Sequence, residues 1–353
     1  MELIKNAHSM KQKVLVTGGV GYIGSHTVVE LQNEGYDVVI VDNLSNSVIS
    51  VLDGITKITG IRPEFEQFDL CDSVKTTNFF QKHKEIAVVI HFAAFKAVGE
   101  SVQKPLMYYQ NNLISLMNIL ENMKRQQIQN LVFSSSCTVY GQPDELPVTE
   151  KAPIKKANSP YGNTKQISEE IIYDLICSDD NLKAIALRYF NPIGAHESAL
   201  IGELPIGTPN NLVPYITQTA IGKRKELSVF GNDYHTPDGS CIRDYINVVD
   251  LAKAHVVALK RLLAKKTKQN FETFNLGTGI GVSVLEIVNT FEKSTGQKVN
   301  YKIVGRRDGD VEKVWSDSKY ANDELGWKTE RSLEETLLSA WNWEKQYNSK
   351  KNE

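Results

Sequence analysis

A phenol and an ammonium four residues apart are the groups in this sequence best placed to do chemistry. They are Tyr161 and Lys165, in the run Tyr161-Gly-Asn-Thr-Lys165. The surrounding pattern predicts a helix, and that spacing puts both side chains on one face. A free tyrosine has a pKa of about 10 and is a poor base at neutral pH. A neighbouring ammonium favours the phenolate, and added positive charge in the site would bring it further toward the working range. Upstream, Ser134-Ser-Ser-Cys-Thr-Val-Tyr140 follows a strand-like run. A serine there can hydrogen-bond a substrate hydroxyl and relay its proton. Taken singly, Y-x-x-x-K reads as a surface pair and the serines as a polar turn. Together, downstream of a glycine-rich turn between strand and helix, they are much more specific.

The loop is Thr17-Gly-Gly-Val-Gly-Tyr-Ile-Gly24, with Gly18, Gly21 and Gly24 at G-x-x-G-x-x-G spacing. Such glycines permit a tight turn and close backbone approach to a pyrophosphate, which then meets the free N–H groups of the next helix. Asp42 lies 24 residues after Gly18, at the end of a second apolar run. A carboxylate there accepts both hydroxyls of an adenosine ribose and repels a 2′-phosphate, favouring NAD over NADP. Alone it would be an ordinary surface acid. Asp69, after another predicted strand, is placed to contact adenine.

The elements that must position these groups alternate. Val14–Thr17 and Val38–Val41 are short apolar runs separated by an amphipathic stretch from about Tyr22 to Asn33. Strand, turn, helix and strand in about 30 residues form a βαβ unit. Further strand-like runs are Ala87–Phe92, Leu131–Ser134 and Ala184–Tyr189, separated by helical patterns such as Tyr109–Arg125 and Ser159–Ile176. This alternation predicts an α/β fold with a doubly wound, Rossmann-type parallel sheet. After Asn191 the texture changes: Gly194–Asn211 reads as loop, and shorter elements follow, with helices near Val248–Leu263 and Leu333–Tyr347. The expected division is a cofactor-binding lobe over residues 1–190 and a smaller substrate-binding lobe over 191–353. The segment near 242–265 is expected to return to the first lobe, with ligand in the cleft between. Lys265-Lys266-Thr-Lys268 reads as a solvated helix end.

Composition narrows the classes. The chain has 353 residues, 41% hydrophobic and 23% charged, which suits a large globular core. A net charge of −2 offers no basic excess for nucleic acid or an anionic membrane. Cys71, Cys137, Cys177 and Cys241 form no C-x-x-C pair, and the seven histidines do not cluster at ligand spacing, so no metal site is expected. Reduced thiols in a cytoplasmic protein are the favoured reading. No apolar run of about 20 residues is present, and Met1–Met10 lacks a signal-peptide h-region. Met10 is a second candidate for the native start.

The glycine loop, the serine run and Y-x-x-x-K together resemble the extended short-chain dehydrogenase/reductase superfamily. Longer stretches resemble its UDP-galactose 4-epimerase family: Gly18–His26, His91–Ser101, Leu187–His196, Asn210–Tyr215, Val229–Tyr234, Arg243–Tyr245 and Asn275–Gly279. The likeness runs from about Lys13 to Trp343. It implies tightly held NAD that takes hydride from C4 of a UDP-hexose, a 4-keto sugar that turns over, and return of the hydride to the other face. It implies Tyr161 as base, Ser136 as its hydroxyl partner and Lys165 as electrostatic helper, with the proton passing to Tyr161 directly or through Ser136. NAD contacts are implied for Tyr22, Ile23, Asn43, Asn46, Leu70, Phe92, Ala93, Lys96, Asn111 and Tyr189, beside the glycines and the two acids. Nucleotide-sugar contacts are implied for Asn191, Asn211, Leu212, Phe230, Arg243, Arg307 and Asp310. A homodimer is implied as well.

Val20 and Cys137 stand where the family commonly has alanine, and neither removes a functional group. A nucleophilic Cys137 lacks a histidine base in evidence, so a small packed residue is the favoured reading. Related hexose 4,6-dehydratases and decarboxylases carry an acid just before V-Y-G, and this chain has Cys137 and Thr138 there, which disfavours both reactions. A non-catalytic dinucleotide-fold protein would be expected to lack the tyrosine or the lysine. The family places a bulky tyrosine shortly after the R-R-x-G-D segment, where this chain has Val314. Either Val314 leaves room for an N-acetyl group or it simply packs.

Overall fold

The computed structural model describes residues 12–307 and 311–349. Asp310 and the alternative start at Met10 lie outside them. A seven-stranded parallel sheet forms the larger lobe. Its first six strands are β1 (Lys13–Thr17), β2 (Asp37–Asp42), β3 (Glu64–Gln67), β4 (Ile86–His91), β5 (Asn130–Ser134) and β6 (Lys183–Tyr189). Spatially the sheet runs β3-β2-β1-β4-β5-β6, with Phe271–Leu276 last beside β6. The order reverses between β1 and β4, and the carboxyl ends of strands at such a switch point form a ligand crevice.

The strands are apolar on both faces because helices cover both. Successive residues serve different cores. Val14 and Val16 pack with Val28, Val29 and Leu31 of α1 (Tyr22–Asn33) and with Leu251 and Leu259 further along. Leu15 packs with the opposite set. That set comes from α3 (Ser73–Lys82), α5 (Pro105–Arg125) and α6 (Pro160–Ser178), among them Phe79, Phe80, Leu116, Ile119 and Ile172. The shorter α2 (Val51–Thr59) joins the α1 side, and α4 (Val98–Gln103) precedes α5.

The remaining residues build smaller units. Asn191–Ile193 pairs with Tyr245–Asn247, Leu227–Phe230 with Tyr301–Val304, and Ile242–Arg243 lies between Val282–Ser283 and Lys313–Val314. Helix α7 (Leu212–Ala220) and the helices Val284–Thr295 and Leu333–Ser349 enclose a third core around Ile216, Phe291 and Trp341. Helix α8 (Val248–Leu263) interrupts this lobe: its Leu251 and Leu259 belong to the α1 core, and the strand after it extends the large sheet. No helix among the described residues is long and apolar enough to cross a membrane.

The elements expected from sequence are present, with shifts at the ends. Helix α5 starts at Pro105 rather than Tyr109. Proline reads as a stop, yet its missing N–H is harmless in a first turn. The strand Phe271–Leu276 has no apolar run to announce it. Its buried Glu272 is held by Arg261, Nε at 2.7 Å and a second guanidinium nitrogen at 2.9 Å, so the strand carries a charge into the interior as half of an ion pair.

Candidate active site

The reacting groups converge where β5 ends and α6 begins. Ser159 caps α6 by accepting from the Gly162 amide at 3.2 Å, and Pro160 fills the first helical position. Tyr161 therefore sits in the first turn, where the positive end of the helix dipole favours a phenolate. Just past β5, Ser136 opens the short 3-10 turn Cys137–Tyr140, its hydroxyl oxygen accepting from the Thr138 amide at 3.3 Å. That bond uses a lone pair and leaves the Ser136 proton for another acceptor. Gly162 lets the helix approach this turn: a Cβ there would meet Thr138 and Ala157 at 3.3 Å.

Ser136, Tyr161 and Lys165 are all buried. Burial holds the Tyr161 phenol well above its ordinary range, reinforced by neighbouring Tyr189, while a hydrogen bond with Ser136 works the other way. Lys165 Nζ donates to the Ser134 carbonyl at 2.5 Å and lies 4.9 Å from the centre of the Phe133 ring. Burial pushes it down to about 8, opposed by the Glu169 carboxylate. Tyr189 and Ser134 share a hydroxyl hydrogen bond of 2.6 Å, and burial pushes that phenol up to about 12. The site thus holds a proton acceptor that needs added positive charge before it can ionise. A cationic ring in the crevice would supply it.

A polar network missed in the sequence lies beneath. Glu169 is one further helical turn along the face that carries Tyr161 and Lys165, and that register was its only signal. It grips Arg188 bidentately, Nε at 3.0 Å and a terminal nitrogen at 2.6 Å, and accepts from Ser135. Arg188 also donates to the Tyr140 hydroxyl at 2.9 Å, which donates in turn to Asn275 at 2.7 Å. Asn112, also missed, ties the loop after β4 to α6: it bonds both backbone groups of Phe95 and donates to the Thr164 hydroxyl at 3.1 Å.

The glycine loop fits a dinucleotide. Gly18 has φ +68°, and a Cβ on it would meet the Ala93 amide at 2.9 Å; one on Gly24 would meet the Gly18 carbonyl at 2.3 Å. Gly21 begins α1 with no side chain over its first amides, including those of Tyr22 and Ile23. Asp42 accepts from the amides of Leu44 (2.8 Å) and Val20 (3.2 Å) and from the Ser47 hydroxyl (3.1 Å), which places its carboxylate against the loop. Burial raises its pKa, and these bonds oppose that. Asn43 donates to Asp69 at 3.3 Å, bringing two of the expected adenosine-side residues together, with Asn46 exposed nearby in sequence and Leu70 buried. Asn111 donates to Asn112, and Phe92 lies 4.7 Å from His255 of α8, ring centre to ring centre. Lys96 sits 5.6 Å over the Tyr22 ring.

The expected nucleotide-sugar residues fall into three groups. Arg243 and Val314 are register partners in the three-stranded sheet. Arg307 lies over the exposed Phe230 ring at 5.5 Å. Asn211 and Leu212 form the start of α7. The Asn191 amide donates to the Asp244 carbonyl at 2.9 Å, next to Arg243. The buried Asp244 carboxylate, also missed, accepts from Thr278, Gly279 and Ser316, and fixes the Arg243 strand to two loops. A Cβ on Gly277 would meet that carboxylate at 2.3 Å, which explains the glycine. Val314 packs with Val139, Tyr140, Val148 and Phe190 and with Cys137, against the turn that carries Ser136. Burial pushes the Cys137 thiol up to about 12, so it is no nucleophile at neutral pH.

Sheet order, glycine loop and the Ser136–Tyr161–Lys165 grouping define an extended short-chain dehydrogenase/reductase of the NAD-dependent epimerase/dehydratase kind. A family model described as GDP-mannose 4,6 dehydratase matches residues 15–339. The UDP-glucose 4-epimerase of Mus musculus is 50% identical over 341 residues, covering 95% of this chain and 97% of that protein. The crystal structure of UDP-glucose-4-epimerase from Stenotrophomonas maltophila, with bound NAD and formylated UDP-arabinopyranose, superposes with a TM-score of 0.92 at 48% identity, covering 96% of this chain and 99% of that one. The Bifidobacterium longum UDP-glucose 4-epimerase, in complex with NAD+ and UDP, gives 0.91 at 45% identity, covering 95% and 99%. The chain belongs to the UDP-glucose 4-epimerase family.

Proposed function

We propose that this chain interconverts UDP-galactose and UDP-glucose by inverting C4, with NAD held throughout turnover. The observation that carries this reading is the burial of Tyr161, Ser136 and Lys165 together at the mouth of a glycine-loop crevice. NAD bound there supplies a reversible hydride acceptor for C4. Tyr161 takes the proton of the C4 hydroxyl, and Ser136, buried beside it, orients that hydroxyl. Lys165 holds positive charge beside the developing phenolate, and its buried stem excludes water from the reacting end. Cys137 and Thr138 offer no carboxylate for proton transfer at C5 or C6, which sets the chain apart from the dehydratase in the family description.

On this reading residues up to 190 hold the cofactor and later ones the nucleotide sugar, the segment near 242–265 excepted. Arg243, Arg307 and the start of α7 would hold the diphosphate and uridine, arginine suiting phosphate through its planar fork of donors. The protein acts in the cytoplasm as a homodimer. Leu106, Ile114 and Met117 support the dimer: they are exposed along one side of α5, with Tyr173 exposed on the adjoining α6. Purified protein given UDP-galactose with no added NAD is expected to yield UDP-glucose in a coupled dehydrogenase assay. No product, even with NAD supplied, would refute the proposal.

A further inference from the structure

Beneath the reacting groups lie two buried charges that the proposed reaction leaves unused, Glu169 and Arg188. A buried ion pair is weak support for a fold, because apolar residues of similar volume often serve as well or better. Stability alone does not account for a full charge here, and position does. Glu169 follows Lys165 by four residues on α6, so the two side chains share a face. Arg188, through two nitrogens, and Ser135 donate to its carboxylate and fix it. Each of these partners adjoins a residue of the site: Ser135 precedes Ser136, and Arg188 precedes Tyr189. Arg188 also donates to Tyr140, the last residue of the turn that Ser136 opens. One carboxylate is therefore the common anchor of α6, the Ser136 turn and the end of β6.

Lys165 needs a countercharge. Its hydrogen bond goes to a neutral group, the Ser134 carbonyl, and the Phe133 ring of β5 faces it. From β4, His91 bonds the Thr17 hydroxyl at 2.8 Å, and burial together with Lys165 pushes it down to about 3, so it is neutral. From β6 come Arg188, of like charge, and Tyr189, a neutral phenol up to about 12. The Cys137 thiol is likewise neutral up to about 12. Tyr108 of α5, beside Tyr161, is a phenol that burial and Glu100 hold above its ordinary range. Tyr161 itself is the group whose ionisation Lys165 supports. Among these groups Glu169 is the negative charge, and it opposes the effect of burial on Lys165.

We propose that Glu169 is a positioning residue for the reaction, the fixed countercharge that keeps Lys165 an ammonium in the working pH range. This rests on the function proposed above.

The test is the pH profile of kcat for UDP-galactose on the NAD-loaded protein. Lys165 loses its charge as pH rises through its folded pKa, so the wild-type profile should fall on the basic side above about pH 8. Glu169→Gln keeps the shape and an acceptor for Ser135 but not the charge, and its basic limb is expected about one pH unit lower. Glu169→Asp keeps the charge at shorter reach, so kcat should fall at every pH with the limb near its wild-type position. Should Glu169→Gln fail to fold, the same change combined with Arg188→Met removes both buried charges and should show the lowered limb. A Glu169 that serves the fold alone would lower kcat in every variant without moving the limb. That result, an aspartate limb lowered as far as the glutamine one, or a wild-type profile with no basic limb would overturn the proposal. Wild-type protein that turns over no UDP-galactose at any pH would instead overturn the function on which it rests.

Discussion

The two lobes are built by different means. In the first lobe the backbone of a single sheet does the positioning: Asp42, the loop after β4, Ser136 and Tyr189 all stand at carboxyl ends of strands of one parallel sheet. In the other lobe the strands are only two to four residues long, and side chains do the work that ladder hydrogen bonds do elsewhere. Asp244 gathers three segments on one carboxylate, and Glu203 joins a loop to α7 and to Lys96. On the proposed function, the sheet holds a cofactor that need not leave. A lobe assembled from side-chain ties suits a ligand that must enter, turn and depart.

That contrast predicts where substitutions will act. Tyr161→Phe removes the base but no fold contact beyond its hydroxyl, and turnover should fall by about 10²–10⁴-fold with NAD still bound, as cofactor absorbance on the purified variant would show. Near-normal turnover would move the base elsewhere. Glu169→Ala leaves Arg188 buried without its partner and should lower stability by about 3–5 kcal/mol in denaturant titrations. Asp244→Ala strands several donors at once. A loss on the order of 3 kcal/mol is expected, and any activity left should show a raised KM with kcat largely kept. A change confined to kcat would place Asp244 with the reacting groups instead.

The smaller effects concern breadth and pH. Val314 packs against the turn of Ser136, and Val314→Tyr should spare UDP-galactose while reducing turnover of UDP-N-acetylgalactosamine. If the wild-type protein gives no product from the N-acetylated sugar while turning over UDP-galactose well, Val314 only packs. Lys165 has its folded pKa depressed from 10.5 to about 8 by burial. Its charged form therefore weakens the NAD-free fold below about pH 8, and the penalty lifts as pH rises toward 10.5. Lys165→Met should stabilise the NAD-free protein most at neutral pH, with the advantage shrinking above pH 8. A constant difference across that range would contradict the assignment.

The same contrast explains what could be read from sequence. Val14, Val38 and Ile90 lie in strands whose apolar runs and glycine stops carry the pattern locally, and Tyr161 and Lys165 stand out by their spacing once the glycine loop and the serine run are read with them. Phe271–Leu276 escaped because Glu272 and Asn275 break its apolar run, and their partners lie on other elements, Arg261 on the preceding helix and Tyr140 135 residues away. Asp244, Asn112 and Glu203 escaped for the same reason: a buried polar residue looks like a surface one until its partners are known. Arg243 and Val314 were named separately, and only the strand register made them neighbours.

The central claim, that hydride leaves C4 and returns to C4 within one closed site, is tested most directly with UDP-galactose carrying deuterium at C4. The account predicts UDP-glucose with the label retained at C4 in ordinary water. Loss of deuterium to solvent would contradict it, because the bond to C4 would then have broken to release a proton rather than a hydride.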